Sequence, residues 1–227
     1  MVTITAPPLH DIAVAAPGVY HPQEDSRLLI DALQQNVALE GRTALDLCTG
    51  TGVVAIAAAL LGAARVTAWD ICPRAVQCSR SNVAAAGVAV EVVLGSWALA
   101  QGRGRFDVVL ANPPYVPFSP DLPAIDGPAQ AWDAGSDGRL VIDPLCTAAP
   151  GLLNDGGTML LVQSEFTGVE QSLAALTAAG LRTSVVARQR IPFGPVMTSR
   201  ANWLESTGRS PVGRREEELT VIRADKR

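Results

Sequence analysis

Asn112-Pro113-Pro114-Tyr115 follows the apolar run Phe106-Asp107-Val108-Val109-Leu110-Ala111, which reads as a short buried strand. A strand ending in Asn-Pro-Pro-aromatic offers a planar nitrogen substrate three things. The Asn112 side-chain carbonyl can accept a hydrogen bond from an NH2 group. Pro113 lacks an N–H and has a fixed φ, so its backbone carbonyl can be held outward as a second acceptor. Tyr115 supplies a ring face for a flat amide or base. Two acceptors aimed at one NH2 localise its lone pair and make it a better nucleophile. The competing reading is a tight turn, since Asn and Pro are ordinary turn residues.

A second group of residues narrows the choice. Thr43-Ala44-Leu45-Asp46-Leu47-Cys48 reads as a first strand, Thr49-Gly50-Thr51-Gly52 as a turn, and Val53 to Leu61 as a buried helix. Glycines let the backbone pass close beneath a ligand, and a helix N-terminus donates free N–H groups. The next strand, Arg65 to Asp70, ends in an acid suited to both hydroxyls of a ribose. Gly50, Gly52 and Ala55 also fit a loose Gly-x-Gly-x-x-Ala fingerprint, so a nicotinamide-linked oxidoreductase is an alternative, although it leaves Asn-Pro-Pro-Tyr unexplained.

The elements that position these residues alternate along the chain. An opening helix is expected over Glu24–Asn36, with Leu28, Leu29, Ala32 and Leu33 on one face. Pro73 suits the first turn of a helix running to Ala86, and Gly87 its stop. Strands are expected over Val88–Leu94, Phe106–Ala111, Thr158–Gln163, Arg182–Arg190 and Leu219–Arg223, with helices near Arg139–Leu153 and Thr167–Gly180. The alternation implies a parallel sheet with helices on both faces, whose ligands gather at the carboxyl ends of the strands. Gly50, Asp70 and Asn112 all fall there. Residues 1–18 read as an irregular arm. Two long loops remain, 116–138 with Trp132 and Asp133, and 191–218; loops of that length are often lids or binding segments. The run Arg214-Arg215-Glu216-Glu217-Glu218 reads as a solvated turn.

On these residues the chain resembles the class I S-adenosylmethionine-dependent methyltransferases, and within them the HemK-type family that includes the release-factor glutamine methyltransferases. The resemblance runs from about Val19 to the C-terminus. Tyr20-His21-Pro22-Gln23-Glu24-Asp25-Ser26 looks like that family's opening segment, Asp46 to Gly52 its cofactor loop, and Ala134-Gly135-Ser136-Asp137-Gly138 a turn that follows the catalytic motif. The resemblance implies a single domain over residues 19–227: a Rossmann-like seven-stranded sheet, mostly parallel, with an antiparallel last strand and helices on both faces. It implies S-adenosylmethionine as cofactor, contacted by Tyr20, Pro22, Glu24, Asp25, Ser26, Asp46, Cys48, Thr49, Gly50, Thr51, Gly52, Asp70, Ile71, Ser96, Trp97 and Asn112. Trp97 departs from the Asp common at its position in the family. Asn112, Pro113, Pro114 and Tyr115 are the implied catalytic residues. The opening segment and the few residues before Val19 resemble the short eukaryotic and archaeal-type branch, which implies a release-factor glutamine as acceptor and a small zinc-binding activator protein as partner. Val88 to Val93 is the candidate docking edge for it.

Composition fits such an enzyme. The 227 residues are 48% hydrophobic with a formal charge of −4, and Lys226 is the sole lysine, which argues against broad binding to phosphate backbones. Arg188, Arg190 and Arg200 read as solvated residues or a local basic face. Cys48, Cys72, Cys78 and Cys146 have no spacing for a zinc site, and no metal is expected. Neither a signal peptide nor a membrane span is apparent, so the expected compartment is the cytoplasm. Methylation of the exocyclic amine of adenine in RNA stays open, because Asn-Pro-Pro-Tyr suits that acceptor as well. A non-catalytic binding module also stays open.

Overall fold

The computed structural model describes residues 8–9, 12–119 and 128–227. Seven strands form one sheet in the order β3-β2-β1-β4-β5-β7-β6. They are β1 (Thr43–Leu47), β2 (Arg65–Asp70), β3 (Val90–Leu94), β4 (Phe106–Ala111), β5 (Leu153–Ser164), β6 (Arg182–Pro192) and β7 (Glu216–Asp225). The ladders from β3 through to β5 are parallel, whereas β7 runs antiparallel to both β5 and β6.

Each strand's alternation divides its side chains between two cores. Ala44, Val66, Ala68, Val108, Leu110 and Leu160 face α1 (Glu24–Asn36), α2 (Val53–Leu60) and α3 (Pro73–Ala86). Leu45, Leu47, Val109, Met159 and Leu161 face α4 (Ile142–Leu152) and α5 (Val169–Ala178). Residues i and i+1 of a strand point to opposite faces, so a parallel sheet covered on both sides reads as an unbroken apolar run. The expected helices over 24–36 and 73–86 are found with those bounds, and Gly87 closes α3 with φ 66°.

Three expectations are corrected. The stretch 191–218 is not structureless: α6 (Pro195–Ser206) lies within it, with Pro195 in its first turn. Its buried Met197, Ala201 and Leu204 recur at i, i+4 and i+7, a helical stripe that Pro192, Gly194 and Pro195 just ahead of it disguise as loop. Arg200 is buried rather than solvated; it pairs with Asp133, donates to the Pro117 carbonyl at 2.9 Å and sits over the Phe118 ring. Finally, Arg214 to Glu218 is no solvated turn. Strand β7 begins at Glu216, and Glu217 is only 5% exposed.

The arm expected over 1–18 lies partly outside the described residues, as does part of the 116–138 loop. From residue 12 to 18 the chain has no helix or strand and lies on α3, where Asn82 exchanges hydrogen bonds with the Val14 backbone. Among the described residues, no helix is long and apolar enough to cross a membrane.

Candidate active site

A cavity of about 1080 Å³ opens at the carboxyl ends of β1, β2 and β4. Its floor is the turn after β1. Cys48 takes φ 59°, unusual for a residue with a Cβ, and this lets the Thr49 N–H donate to the Trp69 carbonyl of the neighbouring strand. Gly50 and Gly52 are also left-handed, with φ 55° and 84°. A Cβ at Gly52 would lie 2.4 Å from Ser79 Oγ, so that position demands glycine for space as well as for φ.

Two carboxyls border this turn. Asp70, at the end of β2, accepts from the Gly50 N–H at 2.9 Å and the Cys72 N–H at 2.8 Å. Burial raises its pKa and these N–H bonds oppose the rise. Asp46 is 1% exposed and takes a 2.5 Å bond from the Thr49 hydroxyl. Burial pushes its pKa to about 7 despite that bond and one from the Ala55 N–H. Exposed Ile71, with Ser96 and Trp97, borders the same end.

The other end centres on Asn112. Its Nδ2 donates to Ser26 Oγ at 3.3 Å, which turns the carbonyl oxygen away from that contact as an acceptor. Ser26 is tied in turn to Asp25, through its N–H at 2.6 Å and its hydroxyl at 3.3 Å. Tyr20 and Tyr115 each donate their hydroxyl to Asp25 Oδ2 at 3.1 Å. Burial, then the neighbouring carboxyl, raises the pKa of both phenols far above its usual range, so they act as donors. Gly138 lies under this wall: a Cβ there would be 2.4 Å from the Tyr115 carbonyl oxygen. A small cluster of Val116, Trp132, Met197 and Leu204 roofs the acceptor end, with Tyr20, Tyr115 and Phe193 packed against it.

The structure thus brings Tyr20, Pro22, Glu24, Asp25, Ser26, Asp46, Cys48, Thr49, Gly50, Thr51, Asp70, Ile71, Ser96, Trp97 and Asn112 to Tyr115 onto one cavity. Gly52 is not part of its lining and acts as the N-cap of α2. Asp25 and Ser26 reach the Asn112 side rather than the turn. Trp132, from a loop read as a possible lid, lines the cavity too, as do Glu217 and Met197, which sequence reasoning missed. For Glu217 a signal existed, since the Leu219–Val221 alternation extends back by two residues to its face.

A family model described as the methyltransferase small domain matches residues 4–120. The chain is 34% identical to a putative protein N5-glutamine methyltransferase of Methanocaldococcus jannaschii, over 82% of this chain and 92% of that one. The chain belongs to the HemK-type class I methyltransferases. It is also 35% identical to the release factor glutamine methyltransferase of Mycolicibacterium smegmatis, covering 79% of this chain but just under two thirds, 66%, of that longer one. A solved complex, E. cuniculi Mtq2-Trm112, described as responsible for methylation of the eRF1 translation termination factor, matches with a TM-score of 0.64 at 25% identity. That match covers 92% of this chain and 99% of the other. This HemK-type chain is therefore an S-adenosylmethionine-dependent N-methyltransferase. The residues present fit that cofactor: the main-chain turn and Asp70 suit a ribose, and Asp46 is a buried carboxyl for an ammonium group.

Proposed function

We propose that this enzyme methylates the side-chain amide nitrogen of a glutamine in a peptide-chain release factor. The observation that supports the reading is the anchored Asn112, which lines the cavity and whose amide nitrogen donates to Ser26 Oγ, so that its carbonyl oxygen is the atom left to accept from a substrate NH2. Both the archaeal relative and the matched complex bear names that refer to glutamine or termination-factor methylation, which supports the same acceptor.

When bound, S-adenosylmethionine supplies an already activated sulfonium methyl. Gly50 and Thr51 would underlie it, Asp46 would face its amino group, and Asp70 would take the ribose hydroxyls. What remains for the protein is alignment and exclusion of water. Asn112 Oδ1 and the Pro113 carbonyl accept from the substrate NH2, and they hold its lone pair toward the cofactor end. These bonds strengthen as positive charge grows on nitrogen, so they favour the transition state over the bound substrate. Pro114 keeps the chain extended, and Tyr115, locked by Asp25, walls the planar group. The roof of Trp132 and Met197 excludes water.

Residues 19–227 act as one catalytic domain in this reading, and the enzyme works in the cytoplasm. A small zinc-binding activator would dock on β3, an edge strand paired only with β2 among the described residues. Exposed Leu94 and Leu99 beside that edge give it an apolar patch. The test is tritiated-methyl transfer onto purified release factor and transfer RNA in parallel, with and without such an activator. Label on a release-factor glutamine is the expected result. Label on RNA adenine, with none on protein, would overturn the acceptor.

A further inference from the structure

Strand β6 is the edge of the sheet opposite β3 and pairs only with β7 among the described residues. The chain leaving it reaches the acceptor end of the cavity, which Ile191, Pro192 and Gly194 help to line. Hydrogen bonds at the end of the ladder fix which of its backbone groups face outward. The Phe193 N–H donates to the Arg215 carbonyl at 2.8 Å, and in an antiparallel pair such bonded positions recur at every second residue. Gln189 and Ile191, opposite Leu219 and Glu217, therefore bond toward β7. Arg188, Arg190 and Pro192 fall at the intervening positions. The Glu218 N–H, opposite Arg190, agrees: it turns away from β6 and donates to Glu165 at 2.7 Å. The N–H and C=O groups of Arg188 and Arg190 thus point off the edge of the sheet, and both residues are exposed. Pro192, exposed and also at an outward position, offers a carbonyl but no N–H. A bulge between Val185 and Ala187 bounds this regular edge on its other side.

We propose that the extended segment of the release factor that carries the target glutamine docks on this edge as an added strand, bonded to the backbone of Arg188 and Arg190. Strand addition takes its affinity from main-chain bonds, and here the β7 ladder already holds the free groups in line. At Pro192 no donor is left, so the pairing stops and the segment is released at the cavity mouth. With a rise of about 3.3 Å per residue, Arg190 lies about 7 Å along the strand from that lining proline. The β3 edge is placed wrongly for this task, because the chain leaving it meets the cavity at Gly95 and Ser96, the cofactor end. A second copy of this chain is disfavoured as the occupant. Arg188 is paired with Glu218, but exposed Arg190 has no carboxylate partner among the described residues, and two such edges side by side would set arginines against each other.

The choice of occupant rests on the glutamine reading above. Amide hydrogen exchange of the wild-type enzyme, followed by NMR with and without saturating full-length release factor, tests the edge directly. In the free enzyme the Gln189 and Ile191 amides are expected to be protected by β7, and those of Arg188 and Arg190 to exchange fast. The factor is expected to slow Arg188 and Arg190 by about ten-fold or more. Kinetics give the second arm. Arg190→Pro removes one outward donor and sets a ring against the edge while sparing the bonds to β7. KM for the factor is expected to rise about ten-fold, with kcat and S-adenosylmethionine affinity near wild type. Arg190→Ala keeps the outward N–H and is expected to raise KM at most about three-fold, the scale of an exposed charge contact. Equal losses in the two variants would reduce the contact to one side chain and overturn strand addition, as would an unchanged KM in Arg190→Pro. An Arg190 amide that keeps its exchange rate in the complex overturns it too, and that readout stands if Arg190→Pro does not fold. Wild type that labels RNA and not protein overturns the glutamine reading and this occupant with it. Wild type that labels the factor while the Arg190 amide stays unprotected overturns the docking edge alone.

Discussion

The cofactor end of the cavity comes from one contiguous stretch, Asp46 to Trp97, whereas the acceptor end gathers Tyr20, Asp25 and Ser26 from one terminus, Asn112 and Tyr115 from the middle, and Glu217 from the other. The first is largely main chain, with glycines, a left-handed Cys48 and N–H groups held by Asp70. The second is a network of side chains, running from two phenols through Asp25 and Ser26 to Asn112. A main-chain cradle can serve many acceptors, because it recognises what every such enzyme shares. A side-chain network is where one acceptor is told from another.

Separating the two ends experimentally starts with the largest effect. Asn112→Ala removes one acceptor for the target NH2 and touches nothing in the cofactor turn. Methyl transfer should fall about 100-fold or more, as for loss of one preorganised transition-state hydrogen bond. Cofactor affinity by calorimetry should stay near wild type; equal single-turnover rates would show the motif to be a structural turn. Asp70→Ala is the complementary break. It removes the proposed ribose acceptor and releases the Gly50 and Cys72 N–H groups. Affinity should drop by about 1.5–3 kcal/mol, the scale for hydrogen bonds to a charged group, while the rate at saturating cofactor changes much less.

That same contrast explains what could be read from the chain itself. Helices α1 and α3 and strands β2 and β4 match their expected bounds, because apolar runs, Pro73 and Gly87 are local signals. The cofactor turn was legible for the same reason: its spacing is short and its glycines are punctuation. Helix α6 carried a local signal as well, Met197, Ala201 and Leu204 at i, i+4 and i+7, but Pro192, Gly194 and Pro195 ahead of it read as loop punctuation, and its bond from Arg200 to Asp133 is long-range. The link from Asn112 to Ser26 joins residues 86 apart. Glu217 hid inside a charged run whose composition suggests solvent, and only its place on the inward face of β7 buries it.

A pH experiment sharpens the comparison at the cofactor end. Burial raises the Asp46 pKa to about 7, so below that value the carboxyl is protonated and accepts poorly from an ammonium group. The folded protein without cofactor favours the protonated form. This contribution to stability is fully present below the unfolded pKa of about 4 and is lost as pH rises through about 7. Cofactor binding has the opposite sense: affinity should tighten by roughly eight-fold between pH 6 and 7.5, from single-proton linkage at one site. Asp46→Asn should abolish that dependence. Calorimetry at four pH values would show it, and an affinity flat in pH for wild type would remove Asp46 from the ammonium site.

The smallest effect tests whether the network transmits position. Tyr115→Phe leaves the ring face and removes one hydroxyl from Asp25 Oδ2, which Tyr20 still occupies at 3.1 Å. Asp25 Oδ1 keeps the Ser26 N–H at 2.6 Å, so Ser26 and therefore Asn112 stay nearly in place. Stability should fall by about 0.5–1.5 kcal/mol, the net worth of one ordinary hydrogen bond, and kcat by a few fold. Tyr20→Phe should behave alike. The double variant strips both donors from one buried oxygen and should cost more than the sum, because the carboxyl is then left unpartnered on that side. Additive losses in kcat would mean that the phenols act independently and do not hold Asn112 through Asp25. Greater-than-additive losses with unchanged cofactor affinity would place the whole chain of contacts, from phenol to amide, at the acceptor end alone.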